Sequence, residues 1–182
     1  LILIAITFHL AVLVLFKLGA FLVLSLLETD GAGHRMEDLH GLGKREPLIA
    51  GSMFLFMLSL AGVPPLSGFL SKLLMVNGIV SSSAETGSSS ATDVYSWMDS
   101  VDPIFWLAAA IVVNSALSLF YYLRLSLVMF FEDPGSSSSL KSASSLRMAI
   151  MACAVLTVLC GIGPVSEWLV SLVSTSIDSL MA

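Results

Sequence analysis

The chain has 182 residues, 57% of them hydrophobic and 12% charged, with a mean hydropathy of +0.96. Soluble domains carry about 25% charged residues, so this composition excludes a water-soluble globular protein and points to an integral membrane protein. The net charge of −5 excludes a basic nucleic-acid surface, and the two cysteines form neither a CxxC pair nor part of a metal cluster.

Leu1 already lies in apolar sequence, with neither the basic start nor the small-residue cleavage site of a signal peptide. It is expected to be the edge of a longer polypeptide. The first predicted span covers residues 1–27 and carries His9 and Lys17. A loop over 28–47 follows, with Arg35, Lys44 and Arg45, and with His34 and His40 expected to be solvated. The next apolar run, residues 48–80, has 33 residues, whereas about 20 suffice to cross a ~30 Å hydrocarbon core. It contains Gly62, Pro64 and Pro65, and the prolines remove two backbone donors in its middle. Two half-helices broken at 62–65 are therefore predicted. An irregular joint at membrane depth must be buried in protein or line a hydrated cavity.

Residues 81–103 read as a serine-rich loop with Glu85, Asp93, Asp99 and Asp102 and no basic residue. A third span is predicted over 104–131. Loop 132–147 follows with Lys141 and Arg147, and then a shorter fourth span over 148–163, ending in Gly161-Ile162-Gly163-Pro164. Residues 165–182 read as an amphipathic tail with Trp168, Leu169, Leu172, Val173, Ile177 and Leu180 on the apolar side, lying in the interface or capping the bundle. Lys and Arg concentrate in the first and third loops, which places both on the cytoplasmic or matrix side. The serine runs at 81–83, 88–90 and 136–139 read as flexible surface loops. The expected fold is a single all-α unit over 1–182, a polytopic transmembrane bundle of about four spans with one discontinuous helix.

Lys72 carries the functional argument. An ammonium near mid-membrane costs at least ~2.5–3.5 kcal/mol and marks an ion path by default. The bland alternative is a lysine that snorkels to the interface, but Lys72 lies well inside the second half-helix, beside a break that offers free carbonyls. Lys17 is similarly deep, and His9 precedes it by eight residues, about two helical turns. A water-bridged His9–Lys17 pair could pass protons. Leu13, one turn after His9, cannot, and a histidine packed at the span edge is the bland reading. Tyr121, Tyr122 and Arg124 are expected to anchor depth, and Cys153 and Cys160 to pack. Ser67, Ser71, Asn114, Ser115 and Ser118 suit either a hydrated path or helix contacts. No predicted span contains an acidic residue. No nucleophile–base set and no flavin, quinone or dinucleotide signature is present.

The segment LSLAGVPPLSGFLSK, preceded by GLGKREPLIA and followed by SALSLFYYLR, resembles the antiporter-like membrane subunits of respiratory complex I and its relatives. The YYLR run favours the N-type subunit, and the resemblance covers nearly all of residues 1–162. It implies the C-terminal portion of a fourteen-span subunit built from two inverted repeats. In that frame Lys72 is the exit-side lysine, Lys17 the connecting lysine, and His9 is similar to a channel histidine of L-type relatives. The implied function is proton translocation in a membrane arm, with Lys17 handing on protons and Lys72 releasing them outward. Flavin, iron–sulfur clusters and quinone would reside in partner subunits, in a prokaryotic plasma membrane or the mitochondrial inner membrane. A subunit of a Mrp-type sodium/proton antiporter or membrane-bound hydrogenase is the alternative reading, and a purely structural span bundle is the third. The first broken helix and the entry-side glutamate of the family pattern have no counterpart in this sequence.

Overall fold

The structure, a computed structural model, describes residues 2–29, 31, 35–86, 103–133 and 144–181. Among them the chain forms α1 (Ile2–Thr29), a 3-10 turn (Met36–Leu39), α2 (Leu42–Arg45), α3 (Pro47–Ala61), α4 (Ser67–Thr86), α5 (Pro103–Phe131), α6 (Ser144–Leu159) and α7 (Gly163–Met181). It is an all-helical bundle with no strand among the described residues.

The central helix is α1, which packs against α3, α4, α6 and α7. Its buried residues Ala5, Phe8, Val12, Phe16, Ala20, Val23 and Leu27 recur every three to four positions and form one stripe. That stripe shares one core with Ile49, Met53 and Phe56 of α3, Met129 of α5, and Ile150 and Cys153 of α6. The opposite face of α1, with Leu10, Val14, Leu18 and Phe21, is apolar and exposed. An apolar exterior is what a helix beside lipid or further spans requires, because between lipid-bathed helices packing rather than water exclusion selects the interface.

Two helices, α1 and residues 106–131 of α5, are long and apolar enough to cross a membrane. The 48–80 run divides as expected into α3 and α4, separated by Gly62–Leu66. The end of the chain divides at the predicted Gly-Ile-Gly-Pro stop into two helices. Here α6 has 16 residues, and α7 turns away from it by 88° at the Gly-rich break. A 16-residue helix is only about 24 Å long, so α6 alone does not match a full span. Leu169 and Val170 of α7 pack on the core, whereas Trp168 and Leu172 point outward, so the predicted apolar side of the tail is only partly inward. Leu180 lies where side chains are not described.

The loops are also more ordered than composition suggests. Residues 36–45 form helical turns, and α4 runs on through the serines at 81–83, with Ser81 Oγ donating to the Asn77 carbonyl at 2.8 Å. Back-bonding to the preceding turn lets serine remain helical. The serines at 88–90 and 136–139, His34, Lys141 and the acidic residues at 93, 99 and 102 lie outside the described residues. His40 is not simply solvated: its Nδ1 lies 2.8 Å from Glu132.

Charges gather at one end of the bundle and join the first and third loops there, as their basic residues implied. Arg147 at the start of α6 donates from both terminal nitrogens to Glu46, at 3.0 and 2.8 Å, just before α3. A bidentate guanidinium–carboxylate pair fixes orientation as well as distance. Lys44 Nζ donates to Asp133 Oδ1 at 2.6 Å, tying α2 to the segment after α5. That hydrogen bond, reinforced by the lysine's charge, holds the Asp133 carboxyl below the ordinary aspartate value. A lowered carboxyl contributes its tie above the unfolded-state pKa, about 3.9, and loses it as pH falls further through the folded value. In an NMR titration the Lys44→Ala variant should return Asp133 towards that ordinary value, and an unmoved midpoint would show that the pair does not form.

Candidate functional site

The site is built around the open end of α3. The last four carbonyls of a helix lack intrahelical partners. Two of the four are closed locally: Gly62 N–H donates to the carbonyls of Leu58 (3.0 Å) and Ser59 (3.1 Å), and Val63 N–H to Leu58 (3.0 Å). This closure needs a left-handed residue after the helix, supplied by Gly62 at φ 86°. Pro64 and Pro65 can donate nothing. The two remaining carbonyls, Leu60 and Ala61, are taken by Lys72, whose Nζ donates to them at 2.8 and 3.1 Å.

Lys72 therefore has a partner, and it is a helix end. The C-terminus of a helix carries roughly −0.5 of an elementary charge, so α3 itself supplies the compensation that no carboxylate of the described spans provides. The lysine stem lies along Gly62, where an added Cβ would sit 3.1 Å from Cδ and 3.3 Å from Nζ. Gly62 is thus required twice, for its backbone angle and for the passage of the lysine.

The start of α4 is held by the same half-helix. Ser59 Oγ accepts the Gly68 N–H at 3.1 Å and lies 3.4 Å from Ser67 Oγ, so a side chain of α3 caps α4 across the break. Gly68 packs so closely on the Ser59 backbone that a Cβ there would collide with the Ser59 carbonyl. The α6–α7 elbow closes over the same place. A Cβ on Gly161 would overlap the Pro65 carbonyl and approach Ser67 N at 2.6 Å. The two breaks of the chain meet.

On the other side of α4, His9 Nδ1 lies 2.9 Å from Ser71 Oγ, and Ser71 Oγ donates to the Gly68 carbonyl at 3.0 Å. The sequence suggests a water-bridged His9–Lys17 pair, and the direct partner of His9 is Ser71, the neighbour of Lys72. Lys17 is exposed on the outward face of α1, with no hydrogen-bond partner among the described residues. A cavity of about 210 Å³ opens beside Lys72 and is lined by Gly62, Phe69, Leu73, Ile111 and Ser115. Of the serines singled out in the sequence, Ser67 and Ser71 are buried at the break and Ser115 borders the cavity, whereas Ser118 bonds within its own helix to the Asn114 carbonyl. Tyr121 and Arg124 are exposed and Tyr122 half-buried, away from the lysine. Cys153 and Cys160 are buried free thiols. Among the described residues no three His, Cys, Asp or Glu side chains converge as metal ligands. Sequence reasoning missed Ser59, Gly68 and Gly161. Their signal is small size at a contact, which only the fold reveals.

The fold and the joint define an all-helical membrane protein with a discontinuous helix that seats a lysine against a half-helix end, a device that recurs among membrane transporters. Residues 2–96 match the family described as NADH:quinone oxidoreductase/Mrp antiporter, transmembrane, and the chain belongs to that family. It is 34% identical over 161 residues to NADH-quinone oxidoreductase subunit N of Chloroflexus aggregans, covering 88% of this chain and 29% of that protein. It is 36% identical over 163 residues to subunit N 1 of Herpetosiphon aurantiacus, with the same two shares. A chain of respiratory complex I from Thermus thermophilus with bound aureothin superposes with a TM-score of 0.60 and 28% identity, covering 87% of this chain and 32% of that one. The chain spans less than a third of the length of these relatives.

Two stability outcomes follow from the joint. Lys72→Met keeps the stem and removes the donors, leaving two carbonyls unpaired at about 1–3 kcal/mol each where water cannot replace the lysine; unfolding of the purified chain in detergent should show a loss, and a gain would contradict the helix-end seat. Gly68→Ala should cost about 1–3 kcal/mol or more through overpacking. Gly51→Ala, with nothing within 4 Å of the new methyl, should be neutral or stabilising in the same assay.

Proposed function

We propose that the chain is part of a proton-translocating membrane-arm subunit of an NADH:quinone oxidoreductase, in which Lys72 is the group that takes and releases the proton. The observation that carries this reading is the seat of Lys72 on Leu60 and Ala61. A charged lysine has three N–H donors, and its neutral form has two donors and one lone pair. The two carbonyls can keep two N–H groups in either state, so the third position is free to gain or lose a proton without reopening the end of α3. The cavity bordered by Ser115 gives that position room for water, and release there would be on the side of the break away from the basic loops.

His9 and Lys17 complete the reading as proton-handling groups on the approach to Lys72. Lys17 lies on a face of α1 that the rest of a longer subunit would cover, which fits a chain spanning less than a third of its relatives. The long-range partners are the other membrane-arm and peripheral-arm subunits of such an enzyme, in a prokaryotic plasma membrane or the mitochondrial inner membrane, with multiple crossings. Flavin, iron–sulfur clusters and quinone belong to those partners, and this chain would perform no redox chemistry itself. The family description also includes Mrp antiporters. The subunit N names of the relatives favour the oxidoreductase.

Lys72→Arg separates proton transfer from architecture. A guanidinium can still donate to both carbonyls but does not deprotonate in proteins. The variant should assemble and insert, yet lose most proton pumping and the quinone reduction coupled to it. Normal pumping in an assembled Lys72→Arg enzyme would overturn the proposal, and sodium-dependent exchange without quinone reduction would move the chain to the antiporter reading.

A further inference from the structure

The Ser71 hydroxyl is completely buried and has two partners, the Gly68 carbonyl at 3.0 Å and His9 Nδ1 at 2.9 Å. A serine hydroxyl has one proton to donate, and a carbonyl can only accept. If the hydroxyl donated to His9, its oxygen would face the Gly68 carbonyl at 3.0 Å, lone pair against lone pair. If it donates to Gly68, both contacts become hydrogen bonds, and His9 must supply the proton of the second. We infer that Ser71 is a positioning residue that locks neutral His9 in the tautomer protonated at Nδ1, so that His9 exchanges protons only through Nε2.

The arrangement holds in both charge states. Imidazolium donates from both nitrogens, and the neutral ring keeps Nδ1–H on Ser71 while Nε2 presents its lone pair. One proton binds at Nε2 and the same atom returns it, so nothing else in the contact changes. Without the serine the ring could donate from either nitrogen and turn over, and the exchanging atom would no longer be fixed in direction. Ser71 precedes Lys72 on α4, and consecutive helical residues point about 100° apart. The helix therefore sets the histidine on its α1 side and the lysine on the α3 and α5 side. This inference deepens the proton-transfer reading and rests on it for its purpose, although the tautomer itself does not depend on pumping.

The test uses the full chain in lipid nanodiscs with ¹⁵N-labelled histidine, the His9 signals being identified by their loss in His9→Gln. At a pH where the ring is neutral, wild type should show a protonated Nδ1 and a bare Nε2. Ser71→Ala should make the Nε2–H tautomer appear, and Ser71→Thr, which keeps a hydroxyl, should restore the wild-type pattern. A wild-type ring protonated at Nε2, or a Ser71→Ala spectrum identical to wild type, would overturn the assignment. Should Ser71→Ala fail to fold, the wild-type spectrum alone still decides. Pumping is measured separately in the assembled enzyme, where Ser71→Ala should lower the rate several-fold and Ser71→Thr recover it. Normal pumping by His9→Gln beside a wild-type Nδ1–H signal would remove the proton-transfer role of His9 while leaving the tautomer in place.

Discussion

Two free carbonyls and one ammonium hold this structure's centre together. A helix that stops inside a membrane leaves backbone acceptors that hydrocarbon cannot satisfy, and a lysine at that depth is an ion without a solvent. Each is costly alone, and each resolves the other at Leu60, Ala61 and Lys72. The remaining parts of the joint serve this meeting. Gly62 turns the chain and leaves the stem its path, while Ser59 caps α4 so that the lysine arrives at the right height.

The same economy recurs at His9. Lys72 is held by backbone carbonyls at the end of α3 and His9 by a side chain of α4, and in each group one position is left without a partner among the described residues. For Lys72 that position is the third corner of the amine, and for His9 it is Nε2. Fixed hydrogen bonds of this kind orient a side chain in advance of any reaction it takes part in.

Much of this was legible in the sequence. The length of the 48–80 run and its Pro64-Pro65 pair required two half-helices, and the basic loops placed two connections on one side. The place of Lys72 in an apolar run just after the break drew attention to the joint. What stayed hidden depended on proximity between distant segments. The sequence suggested a water-bridged link between His9 and Lys17, which share a helix; it gave no sign that a serine 62 positions away would be the direct partner of the histidine. The absence of an acid in the spans left Lys72 apparently unpaired, because a helix end is a counter-charge with no residue type. Composition likewise assigned Ser81 to a loop, whereas its hydroxyl bonds back within α4 and the helix continues.

The contacts at the two ends of α3 have a mechanical meaning. At the charged end, Glu46 grips Arg147 with two hydrogen bonds. At the far end, Pro65 and Ser67 leave no room above Gly161 for even a methyl group. The residue leading into α3 thus holds α6 at one end, and the joint between α3 and α4 meets the elbow after α6 at the other, like the two long sides of a frame. Such a frame cannot shear or splay without breaking a bidentate ion pair or lifting the elbow. The carbonyls that receive Lys72 and the first turn of α4 both lie within that frame, whereas the long helix α5 buries little of its surface in this bundle.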